Sequence, residues 1–96
     1  MPNTDTIDVT NGLSLIEATL QKQYDDGLVV VDYNKICDGC GDNNLWGYLY
    51  MIVPHDKDLA ERVRKEFLKK SPQEALALIK KTRREYFDKA MAAGLL

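Results

Sequence analysis

The chain has 96 residues, 45% of them hydrophobic and 29% charged, with a net charge of −2. That length sets one small domain, and that balance excludes a disordered polymer. No apolar run approaches the roughly 18 residues of a membrane span, and Met1–Thr10 lacks the basic and apolar regions of a secretory signal. A cytoplasmic location is the expectation. Charge is uneven: residues 1–54 carry two basic and eight acidic groups, residues 55–96 eleven basic and seven acidic. The C-terminal half therefore has room for an anionic partner.

Residues 1–10 are polar, with Ile7 and Val9 alternating, and read as a flexible arm or an edge strand. Ser14-Leu15-Ile16-Glu17 has the form of a capping box opening a helix to about Asp26, with Leu13, Ile16, Leu20 and Tyr24 facing the core. Gly27 supplies the stop. Leu28–Lys35 starts with a β-branched run and predicts a strand. Leu45–Val53 predicts a second, and the Gly, Asp and Asn residues between them predict a turn. The two make an antiparallel hairpin.

Pro54 ends the second strand. Asp56 or Asp58 caps a helix to about Lys70 with Leu59, Val63 and Phe67 on one face. Ser71-Pro72-Gln73-Glu74 combines an N-cap serine, proline at N1 and glutamate at N3. The last helix runs from there to about Ala92, with Ala75, Leu76, Ile79, Tyr86 and Ala90 inward and Gly94 as C-cap. The expected fold class is α+β: a β-hairpin, two- or three-stranded, preceded by one helix and followed by an αα-hairpin.

Both faces of that hairpin are apolar. Val29, Val31 and Tyr33 oppose Leu28 and Val30, while Trp46, Tyr48, Tyr50 and Ile52 oppose Leu45, Leu49, Met51 and Val53. A second chain covering one face is the economical answer, which predicts a homodimer or higher homo-oligomer.

Candidate chemistry is sparse. Cys37-Asp38-Gly39-Cys40-Gly41 resembles half a zinc knuckle. One chain lacks four good ligands, but a symmetric dimer would supply two cysteines from each subunit. The alternatives are a redox pair, disfavoured by the neighbouring acids, and two plain loop thiols. His55 is the lone histidine and pairs with no nucleophile at a recognisable spacing. Trp46, Tyr48 and Tyr50 form an aromatic row that is either core packing or a platform for a base or a partner. Arg83 and Arg84 stand in a basic stretch that is either a solvated face or an anion site. The interleaved acids, and a pI near 5.3, argue against duplex DNA.

No phosphate-binding glycine loop, zinc-protease motif or nucleophile elbow is present. The sequence thus predicts a small non-catalytic binding or regulatory protein acting by protein–protein contact. A phage or mobile-element inhibitor of a host system belongs to that class. The alternative is an oligomer that binds zinc at Cys37 and Cys40, or a nucleotide or other phosphate ligand between Trp46, Tyr48, Tyr50 and Arg83, Arg84.

Overall fold

The computed structural model describes residues 4–95, and they form four helices and no strand. The α+β expectation is therefore wrong: neither strand of the hairpin exists. Helix α1 spans Thr4–Asp25, α2 Leu45–Ile52, α3 Lys57–Glu66 and α4 Pro72–Ala92. A 19-residue irregular segment, 26–44, joins α1 to α2.

The second predicted strand is α2. Nearly every residue of Leu45–Val53 is apolar, so the run fits a period of 2 and a period of 3.6 equally well. Asn44 decides between them. Its side chain accepts a hydrogen bond from the Gly47 backbone N–H at 2.9 Å and so caps the helix. Leu45, Tyr48, Leu49 and Ile52 then share one buried face at helical spacing. The first predicted strand, 28–35, is loop. Of its apolar residues only Val31 is buried, and Val29 is 83% exposed. Branched aliphatics favour extended backbone, but this segment has no neighbouring strand to complete a ladder.

Helix α1 begins ten residues before Ser14. Its buried positions include Thr6, Val9, Leu13, Ile16, Leu20 and Gln23, one stripe at alternating steps of three and four. Threonine and glutamine dilute that stripe, which hides it from a search for apolar residues alone. Ser14 sits inside the helix, and Tyr24, expected in the core, is exposed while Gln23 is buried. Gly27 ends the helix at φ +78°, a conformation that costs glycine little.

Helix α4 follows the sequence closely, and α3 starts where expected but ends at Glu66, short of the expected Lys70. Asp56 accepts from the Leu59 N–H, and Leu59, Val63 and Phe67 are buried. Ser71 accepts from the Glu74 N–H and so caps α4, and its hydroxyl donates to the Glu74 carboxylate. At the far end Gly94, at φ +72°, closes α4, with the Leu95 N–H donating to the Ala90 carbonyl.

Helices α1 and α4 make the most extensive pairing, and α2 packs on α1. Gly12 sets the α1–α2 approach: a Cβ there would lie 2.9 Å from the Ile52 side chain. The core is filled by Leu13, Ile16, Leu20, Tyr48, Ile52, Val63, Phe67 and Ile79, all 2% exposed or less. Between α3 and α4 the link is polar. Arg62 donates to Glu66, Glu85 and Thr82, and the Thr82 hydroxyl donates back to Glu66. No described helix is long and apolar enough to cross a membrane.

Candidate functional site

The segment 26–44 lacks a core of its own and is fixed instead by side chains that bond its backbone. Gln23 reaches out of α1, and its amide donates to the Asp32 carbonyl at 2.7 Å while accepting from the Asp32 N–H at 3.0 Å. One side chain thus plays the part of a neighbouring strand, satisfying both main-chain groups of a residue. The Val31 N–H donates to the Lys70 carbonyl at 2.9 Å, tying the loop to the α3–α4 turn. The Tyr33 hydroxyl donates to the Arg64 carbonyl at 2.6 Å.

These ties hold open a shallow groove of about 540 Å³ between the loop, the start of α2 and the end of α3. Tyr33 and Trp46 meet edge to face in it, with ring centroids 5.1 Å apart. Val30 and Leu68, 52% and 51% exposed, line the same groove with Arg64 and Lys69. Val29 lies beside it in the chain. Burial raises the Tyr33 phenol above its ordinary value of 10.0, with the Arg64 charge pulling the other way. Arg64 pairs with Glu61, and that hydrogen bond holds the Glu61 carboxyl below its usual range. Lys69 has no ion-pair partner among the described residues, and the exposed Asp32 carboxylate lines the same groove, so its rim carries both signs of charge.

The residues singled out from sequence scatter. On a strand Trp46, Tyr48 and Tyr50 would share a face; on α2 they do not. Trp46 borders the groove, Tyr48 is core, and Tyr50 is 67% exposed. The Tyr48 hydroxyl accepts from the Asn43 N–H and so braces the loop from inside. Arg83 pairs with Glu17 across the α1–α4 seam, and Arg84 is exposed beside it. Both line a separate depression with Lys80 and Phe87. The arginine beside the tryptophan is Arg64. What sequence reasoning missed was Gln23, Arg64 and Leu68. A buried glutamine in a helical stripe leaves no mark in a hydropathy pattern.

Cys37 and Cys40 are joined as a disulfide, where free thiols were the simplest expectation. Cys37 is buried and Cys40 half-exposed. The Cys37 carbonyl accepts from the N–H groups of Cys40 and Asp42, and its own N–H donates to Asn43, so the loop is closed by backbone bonds as well. No group of three or more His, Cys, Asp or Glu among the described residues is placed to hold a metal ion. His55, at the α2–α3 corner, lies 3.0 Å from Asp5 and 3.1 Å from Asp8 of α1, one carboxylate at each ring nitrogen. That arrangement ties the start of α1 to the corner.

No protein-family model matches the chain, and no curated protein and no solved structure matches it.

Proposed function

We propose that this protein is a non-catalytic binding domain that works by contact, with the Tyr33–Trp46 groove as the place where a partner protein docks. The observation behind this reading is the clustering of exposed aliphatics around an aromatic pair. Val30 and Leu68 line the same groove as Trp46 and Tyr33, and solvent-facing Val29 adjoins Val30 in the chain. Scattered exposed aliphatics are ordinary, but a contiguous patch rimmed by charge is the form a contact surface takes. Tryptophan, tyrosine and arginine are the residues that carry most interface energy. Lys69 and Asp32 on the rim favour a partner with an apolar anchor flanked by charges of both signs.

Helix and loop divide the labour in this reading. Helices α2 and α3 hold Trp46 and Arg64 on rigid supports, and Leu68 sits in the turn that follows α3. The loop adds Val30 and Tyr33 at fixed positions through Gln23 and the Val31–Lys70 bond. A preformed groove loses less entropy on binding than a mobile one.

Affinity capture from the source lysate tests it, with wild-type protein run beside Leu68→Asp and Tyr50→Ala. Both residues are exposed, so thermal melts of the variants should match wild type. The expected result is a partner held by wild type and Tyr50→Ala and lost by Leu68→Asp. A partner retained equally by all three, or none at all, would overturn the proposal.

A further inference from the structure

The outer face of α4 carries a second surface that shares no residue with the groove. Gln73, Ala77, Lys80, Arg84, Phe87 and Met91 recur at alternating steps of four and three, which places them in one line along the helix. All six are exposed. Phe87 is 43% and Met91 56% exposed, one turn apart, and Lys80 and Arg84 occupy the preceding turns. No acidic residue falls in the line. Among the described residues neither Lys80 nor Arg84 forms an ion pair, although Arg62, Arg64, Lys65 and Arg83 all do. A depression of about 360 Å³ runs beside the line, where Lys80, Arg83, Arg84 and Phe87 meet Glu17 of α1.

A merely solvated helix face intersperses both signs of charge, as the α3 face does with its Glu61–Arg64 and Arg62–Glu66 pairs. The α4 line itself holds no acid, while exposed Glu85 and Asp88 flank it, Asp88 one turn beyond Arg84. The line is apolar at one end, cationic in the middle and small or polar at the start. We infer that the exposed α4 line is a docking seam for an acidic amphipathic helix of a partner protein. That helix would set apolar side chains against Phe87 and Met91 and carboxylates against Lys80 and Arg84. From Lys80 to Met91 the seam is about 16 Å long at helical rise, three turns of a partner.

Two other occupants fit less well. A second copy of this chain, paired through the same face, gains Phe87 against Met91 but leaves Lys80 and Arg84 without carboxylates. Pairing centred on the bases sets like charges against each other. An anionic membrane needs a broad apolar face to sink into the headgroup region, and two large apolar side chains are a narrow one.

The test is an ¹⁵N-NMR titration of the full chain with a synthetic 21-residue helical peptide. The peptide carries leucines at two seam positions and glutamates at the next two; its twin has lysine for every glutamate. Vesicles of mixed phosphatidylglycerol and phosphatidylcholine are titrated in parallel. The acidic peptide is expected to shift resonances from Ala77 to Met91. Its affinity should weaken about tenfold or more in Lys80→Glu/Arg84→Glu and in Phe87→Ala/Met91→Ala. All four side chains are exposed, so unchanged melting curves for both variants serve as the control for folding. Equal binding of the lysine twin, binding of vesicles without peptide, or no shift in α4 would each overturn the inference. Shifts confined to Tyr33 and Trp46 would overturn it as well, while leaving the groove proposal standing.

Discussion

The α1–α2–α4 core and the 26–44 loop show two ways of holding a chain in place. In the core, Ile16, Leu20, Ile52 and Ile79 are removed from water altogether, and apolar burial dominates. In the loop, Val29, Val30 and Ile36 stay in water, and order comes from the Gln23 amide, the Tyr33 hydroxyl, the Tyr48 hydroxyl and the Cys37 backbone bonds. Burial is spread over many atoms, whereas a polar tie is concentrated in one. The loop should therefore be the region of lower local stability, and each of its ties should be individually visible.

Four substitutions break or sharpen that contrast. Ile16→Ala empties part of a closely packed core and should cost about 2–5 kcal/mol in urea denaturation, lowering protection of the whole chain in hydrogen exchange. Gln23→Ala strands both main-chain groups of Asp32 and should cost about 2 kcal/mol, with the exchange of loop amides accelerated first. If Gln23→Ala proved as damaging as Ile16→Ala, the loop would be part of the core unit and the contrast would fail.

Tyr33→Phe removes one hydrogen bond to the Arg64 carbonyl and should cost about 1 kcal/mol at neutral pH. Its pH dependence is more telling. Folding raises the Tyr33 pKa above 10.0, so the neutral phenol stabilises the fold fully below that value. As pH climbs, the unfolded chain loses its proton first, and stability falls until the folded value is passed. The phenylalanine variant should lack this part of the alkaline slope in melts taken from pH 9 upward. Val29→Asp lies at the small end. An 83% exposed side chain should change stability by no more than about 0.5 kcal/mol, so any loss of partner capture by that variant would report contact and not folding.

Much of the helical half was legible because its signals are local. Ser71, Pro72 and Glu74 mark the start of α4, Asp56 that of α3, and Leu59, Val63 and Phe67 betray their period against charged neighbours. The region from Leu28 to Val53 was misread for a physical reason. Val29–Val31 has strand propensity and no partner strand, and Leu45–Val53 is so uniformly apolar that its period is undefined. Asn44 carried the deciding information, and one capping residue is easily taken for turn composition. The oligomer argument rested on a hairpin apolar on both faces, and with no hairpin that argument has no sheet to cover. Trp46 stood out in the sequence, but Arg64 near the end of α3 and Leu68 in the turn after it lie 18 or more residues away, and only the fold brings them to the same groove.

The paired hydrogen bonds between Gln23 and Asp32 couple the end of α1 to the groove. Because the amide belongs to the last turns of α1, fraying of that helix end would release one of the ties that fix the groove wall, leaving the Val31–Lys70 and Tyr33–Arg64 bonds in place. Thermodynamic linkage then runs both ways. Occupancy of the groove would lengthen the lifetime of the α1 terminus, and whatever grips α1, including its seam with α4, would prepare the groove for its occupant.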